Sequence, residues 1–450
     1  MNAVEITAQI TNAANILKIN KWDYGASLSN DYSVQVDRGK AKQLKASQKH
    51  VITLRVWNTE NLVGITTTSD LSKTGIKKAL KQAHIASEFG NKNEFTDFSP
   101  LAKDPIQVKE IEKKHPLGIK KLLNILREAE SKLIESHEAI KSIPYNGLSE
   151  SFYERIYANS DGAFRNHSKS QAALYLYARA EEKDKKPRSS GAVKLGYGVE
   201  DIDIESCIKE ASQKTIAHLD YSSIKTGKYL VCLSPEAFLT MVNSFSSIFN
   251  ARSIIDGVSL SNKNSIGDLI SIPALNIYDD GLNDKNISSA PFDGEGTPTK
   301  KLSIINKGIL KNFLHSESTA KIFNTLPTGH AGLGSKVSVS PDWLVIERSD
   351  ECSELNMSLD HTSYKGEFIY IEELNAIHAG VRASQGSFSL PFDGWHYKNG
   401  EKCSIESATV AGDIKYLLKN IINIENDEEL TPSGISPHVW INELSITGDE

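Results

Sequence analysis

The stretch SHEAIKS (136–142) places Glu138 directly after His137. That dipeptide opens the zinc helix of many metallopeptidases, where the imidazole holds the metal and the carboxylate acts as general base. A second imidazole is then required one helical turn further on, and those positions here hold Lys141 and Ser142. None of the 12 histidines has another within a helical turn of it. A zinc helix carrying two imidazoles on one face is therefore excluded, and His137–Glu138 reads as a solvated helix end.

A less obvious pair lies in DGWHYKNGEKCSI (393–405), which reads as a hairpin with Asn399-Gly400 as a two-residue turn. That register sets Lys398 opposite Glu401, Tyr397 opposite Lys402 and His396 opposite Cys403. Imidazole and thiol then neighbour each other on one face, as two metal ligands, as a Cys–His nucleophile pair, or as an incidental pair beside a turn. A site needs a third group, which the sequence does not place. Asp293 and Glu295 in PFDGEGTPT (291–299) are candidates to face a substrate groove, although acidic turns are commonly just solvated. There is no G-x-S-x-G, and the glycines of GHAGLGSK (329–336) and KLGYGVED (194–201) lack phosphate-loop spacing.

The elements that must position these residues follow from periodicity. Residues 3–18 have helical spacing, and YSVQVDRGK (32–40), HVITLRVW (50–57) and LVGITTTS (62–69) read as strands. TGIKKALKQAHIASEF follows as a helix capped by Ser69 or Asp70, so strands and helix suggest a two-layer α+β unit. Residues 90–110 form a polar connector, and 116–136 a long amphipathic helix ending before the breakers Pro144 and Gly147. Strands resume at ESFYERIYANS, turn at SDG (160–162), return through AFRNHSKSQAALYLYARAEE and reach a charged tip at KDKKPRSSG; a helix covers 203–219. A further domain begins at GKYLVCLSP (227–235), where Ser234 caps and Pro235 opens a helix with Phe238, Leu239, Val242, Phe245, Ile248 and Phe249 on its apolar stripe. From 265 onward short strands dominate, interrupted by a helix at DIKYLLKNII (413–422). The expectation is an α+β protein: an N-terminal region over 1–222, in units 1–100 and 101–222, then a mainly antiparallel β domain with a few helices over 223–450.

A chain of 450 residues exceeds one hydrophobic core, which fits that division. The net charge of −6 argues against a nucleic-acid binder. Cys207, Cys232, Cys352 and Cys403 show no C-x-x-C spacing and read as free thiols of a reducing compartment. No secretory signal and no membrane-length apolar run are visible, so a cytoplasmic protein is expected.

Longer stretches carry a resemblance. PFDGEGTPTKKLSIINKGILKNFLHSESTAKIF (291–323), GSFSLPFDGWHYKNGE (386–401), ATVAGDIKYLLKNIINIENDEEL (408–430) and LVGITTTSDLSKTGIKKALKQAHIAS (62–87) resemble, in collinear order, the TldD/PmbA family, also called modulator of DNA gyrase. In that family, TldD-like subunits bind zinc through an HExxxH helix and a distant cysteine. PmbA (TldE) subunits lack these ligands and pair with TldD as a heterodimeric peptidase acting on unfolded or leader-bearing peptides. The resemblance implies that the zinc helix corresponds to the one starting at Ser234, with its ligand window at Val242–Ser247. Val242, Asn243 and Ser247 stand where two imidazoles and the base would be, and TPSGISPHVWINEL offers no cysteine. The likeness is thus to the PmbA (TldE) branch: no cofactor in this chain, and zinc in a TldD-like partner. The alternatives are a homodimeric peptide-binding scaffold without peptidase function, and an enzyme built on His396 and Cys403.

Overall fold

The computed structural model describes residues 2–90, 96–109, 114–334, 336–350, 355–356 and 358–448. The chain begins with α1 (Ala3–Leu17), started by a capping box in which Asn2 and Glu5 exchange side-chain-to-backbone hydrogen bonds. β1 (Lys21–Asp37) and β2 (Lys40–Trp57) form a long hairpin turning at Arg38-Gly39, both with positive φ. The segment 32–40 is therefore the end of one strand, a turn and the start of the next. After β3 (Val63–Thr68), α2 (Lys73–Ser87) is capped by Ser72 rather than by Ser69 or Asp70; Asp70 instead accepts the backbone N–H of Ser72.

The helix α3 (Ile119–Glu135) ends at the expected place, but β4 (Ile140–Asn159) starts earlier than Pro144 and Gly147 suggest. The strand passes through both, with register shifts at Ile140/Ser142 and Ser142/Tyr145 that absorb a residue lacking an N–H. β5 (Phe164–Ala180), β6 (Arg188–Gly196) and α4 (Ile204–Ala217) complete the region. The six strands form one sheet in the order β3-β2-β1-β4-β5-β6. Because β1 pairs with β4 from Asp23–Asn159 to Val34–Leu148, residues before and after the 90–110 connector share that sheet.

Side chains alternate across a strand, and the two faces of this sheet have different tasks. Even-numbered residues of β1 point to the helices: Tyr24, Ala26 and Leu28 pack with α1 and α2, and Val34 and Val36 with α3 and α4. Odd-numbered residues, including Asp23 on β1, Tyr157 on β4 and Arg165 on β5, face the C-terminal half.

That half is built on a 13-stranded sheet, antiparallel at most junctions and parallel at three. Its strand Gly227–Leu233 runs between Phe368–Leu374 and Gly434–Gly448. The helix α5 (Pro235–Ser244) lies on one face, capped by Ser234 and opened by Pro235 as the sequence dictates. Val231, Leu233, Ile369, Ile371, Val439 and Ile441 point toward it; their neighbours Cys232, Phe368 and Trp440 point to the far face. The molecule is thus α+β, with helices concentrated in the N-terminal region and a β-rich C-terminal half. Cys207, Cys232 and Cys403 are free thiols, and Cys352 lies outside the described residues. Among the described residues, no helix is long and apolar enough to cross a membrane.

Candidate functional site

The window Val242–Ser247 falls where α5 stops. The helix ends at Ser244, Phe245 caps it, and Ser246–Phe249 continue as a 3-10 turn. Positions 242 and 247 therefore do not share one regular helical face. Val242 and Phe245 are buried in the core, with the Phe245 ring edge-on to Phe388 at 6.3 Å. Ser244 turns its hydroxyl back onto the carbonyl of Thr240, a bond that competes with helix continuation. What fills the window is packing and local hydrogen bonding, which supplies neither a metal ligand nor a general base. His137 is no closer to metal chemistry: it lies between α3 and β4, and its Nδ1 accepts the N–H of Ala139.

Asp293 and Glu295 lie between the two halves of the molecule. Glu295 receives Arg55 Nη1 at 2.8 Å and the backbone N–H of Glu317 at 2.8 Å. Arg55 in turn bonds both oxygens of Asp23, at 2.9 and 2.5 Å, and Tyr157 donates to Asp23 at 3.1 Å. Arg55 and Asp23 are opposite one another in the β1–β2 register, so the strand pairing itself creates the ion pair. Asp293 holds its loop by accepting the N–H groups of Glu295, Thr297 and Ala331. Burial and the Glu295 charge push its carboxyl up to about 7, against the pull of those three donors. Gly296 has φ +76, and a side chain there would run into the Tyr157 ring. Asp293 also lines a cavity of about 190 Å³ with Gly25, Thr53, Arg155, Ala331 and Leu333.

The hairpin has the register read from its sequence, with His396 opposite Cys403 and Asn399-Gly400 both at positive φ. The pair is not organised for nucleophilic catalysis. His396 Nε2 bonds Glu367 at 2.8 Å, whereas Cys403 Sγ is directed to the carbonyl of Asp220. His218 Nδ1 meets Ser404 Oγ at 2.7 Å and its Nε2 meets Glu372 at 3.0 Å, but Ser404 is fully buried. That Ser–His–Glu chain fastens strands together and has no access for a substrate.

Two clusters escaped the sequence because their members are far apart in the chain. Asp279, His330 and Asp342 form one; His361, Glu425 and His438 the other. In the second, His361 Nδ1 lies 2.8 Å and His438 Nδ1 3.8 Å from Glu425 Oε2. The other carboxylate oxygen, Oε1, accepts from Trp440 Nε1 and from the backbone of His361. The two imidazoles stack with centroids 3.8 Å apart, and burial together with the facing His361 ring pushes His438 down to about 4. The available signal was alternation: His438 and Trp440 share the face of their strand opposite to Val439 and Ile441.

Comparison with known proteins agrees with this architecture. Residues 226–448 match the family profile described as the PmbA/TldA metallopeptidase C-terminal domain, and residues 112–219 match its central domain. The chain is 21% identical over 435 residues to Metalloprotease PmbA of Escherichia coli O157:H7, covering 95% of this chain and 92% of the relative. It is 23% identical over 447 residues to a Zinc metalloprotease TldD homolog of Saccharolobus solfataricus, covering 94% and 95%. Among solved structures, it is similar to TldE from Thermococcus kodakarensis, with a TM-score of 0.82 at 18% identity over 99% of this chain and 100% of that one. A proposed modulator of a DNA gyrase from Thermotoga maritima gives a TM-score of 0.85 at 23% identity, over 99% and 100%. At these identities the solved structures establish the shared fold. Profiles covering the central region and nearly the whole C-terminal half, with relatives aligned almost end to end, place the chain in the PmbA/TldD metallopeptidase family.

Proposed function

We propose that this chain is the non-catalytic, TldE-like subunit of a zinc peptidase of the TldD/TldE type, which acts on unfolded or leader-bearing peptides. One observation carries the reading. The α5 window holds Val242, Asn243 and Ser247, and the helix stops at Ser244. A zinc peptidase needs preorganised ligands and a base beside the metal-bound water, and this window offers neither. The chain's role is then to complete a TldD-like partner's pocket and to hold an extended peptide, for which sheet edges are suited.

Reconstitution tests this. The chain alone leaves an unfolded peptide intact, whereas the chain with a TldD-like subunit of the same organism forms a heterodimer with chelator-sensitive hydrolysis. Chelator-sensitive cleavage by the isolated chain overturns the proposal. So does a chain that elutes only as a homodimer and leaves the TldD-like subunit's activity unchanged.

A further inference from the structure

We propose that His361, His438 and Glu425 form a binding site for a divalent cation of the zinc class, on the face of the C-terminal sheet opposite α5. Their three donor atoms, two imidazole nitrogens and one carboxylate oxygen, all lie within 4.8 Å of one another. Two imidazoles and a carboxylate form a donor set well suited to zinc.

The second observation is His438 itself. Its side chain is 3% exposed and its Nδ1 has no hydrogen-bond partner, although it points at the carboxylate of Glu425. A buried nitrogen left unpaired costs free energy, and native proteins rarely leave one without a purpose. The ring is oriented from behind by Tyr370, whose hydroxyl lies 3.2 Å from Nε2. With the proton on Nε2, Nδ1 presents its lone pair to the site. The carboxylate is held just as firmly, because Trp440 and the backbone of His361 occupy Oε1, while Oε2 carries the His361 Nδ1 bond that a metal ion would replace. Such supporting bonds fix ligand orientation in metal centres.

Ion entry requires a modest rearrangement. The His361–Glu425 hydrogen bond opens and the stacked rings turn apart, which His361 allows because its side chain is 26% exposed. Glu429, 59% exposed and 4.0 Å from His438 Nδ1, is positioned to supply a fourth ligand from the solvent side. The bound ion would clamp the segment around His361 to the strands Ile421–Thr431 and Gly434–Gly448. The cluster at Asp279, His330 and Asp342 is the weaker candidate: it has one imidazole, and backbone N–H groups already occupy both oxygens of Asp279. A metal here revises the expectation of a metal-free chain, which rested on the α5 window and on the missing cysteine near the C-terminus. It is independent of the peptidase reading.

The test uses the full-length chain without partner or peptide. After chelator treatment it is equilibrated with buffered micromolar Zn²⁺, and bound metal is counted by mass spectrometry. One zinc per chain is expected, with affinity falling at least about 100-fold in each of His361→Gln and His438→Gln. Circular dichroism checks that both variants fold. Should either fail to fold, Co²⁺-loaded wild-type protein decides, because its NMR spectrum must then show the shifted imidazole protons of two histidines. No zinc on the wild-type chain, equal affinity in folded variants, or a Co²⁺ spectrum without imidazole signals overturns the proposal.

Discussion

Two polar clusters containing buried carboxylates, one between the halves of the molecule and one on the far face of the C-terminal sheet, follow opposite rules. In the first, Arg55 divides its guanidinium between Asp23 and Glu295, and Tyr157 and the N–H of Glu317 take remaining acceptor sites. In the second, Glu425 accepts two bonds on one oxygen and a single one, from the partly exposed His361, on the other, and the His438 nitrogen beside it has no hydrogen-bond partner. A closed cluster can do no more than hold elements together. An open one, with the His438 proton on Nε2, keeps a lone pair on Nδ1 directed into the cluster, which is what a metal ion requires. Family membership draws attention to α5, but burial and unpaired donors point elsewhere.

The contrast predicts unequal costs of truncation. Arg55→Met strands two buried carboxylates and should lower stability by about 3–5 kcal/mol, measured by urea unfolding. A loss below about 1 kcal/mol would mean that the cluster is solvated in solution and the distinction fails. The α5 window should respond differently. Combining Val242→His, Asn243→Glu and Ser247→His places an imidazole in an apolar core and should cost about 1–3 kcal/mol. No peptidase activity is expected from this variant alone, because the helix ends before position 247 and no cysteine ligand is supplied. Chelator-sensitive hydrolysis by the triple variant would show that the window lacks ligands and nothing else.

Acid–base behaviour sharpens the picture at Asp293. Its carboxyl rises from 3.8 to about 7 on folding, so the folded state holds the proton more tightly than the unfolded one. The associated stabilisation is complete below the unfolded value and is lost as pH rises toward 7. The slope is at most about 1.4 kcal/mol per pH unit. Unfolding midpoints followed from pH 4 to pH 8 should fall more steeply in the wild type than in Asp293→Asn. Parallel profiles would show that the three backbone donors keep the group ionised throughout.

How much of this was legible in the sequence depended on distance along the chain. The His396–Cys403 register was readable because an Asn-Gly turn fixes pairing locally. The start of α5 was readable because Ser234-Pro235 is a local cap. Pro144 misled, because a bulge can absorb a proline inside a strand, and whether one forms depends on the neighbouring strand. The Arg55–Glu295 bond spans 240 positions and His361–Glu425 spans 64, so no periodicity marks either. Those contacts are set by which strand lies beside which, and the order of the 13-stranded sheet is a global property.

The smallest predicted effect is the most selective. In metal-free protein, His361→Gln removes an ion pair whose imidazole is 26% exposed, and Glu425 keeps its bonds from Trp440 and the backbone. The loss should be at most about 1 kcal/mol, since partly solvated pairs contribute little. Adding Zn²⁺ should then raise the unfolding midpoint of the wild type, by mass action on the folded state, while leaving the variant unchanged. Arg55→Met should still respond to zinc, because its cluster lies elsewhere and shares no residue with the ligands. A variant ordering in which His361→Gln costs more than Arg55→Met without metal would invert the roles assigned to the two clusters: the open one would be the structural clamp.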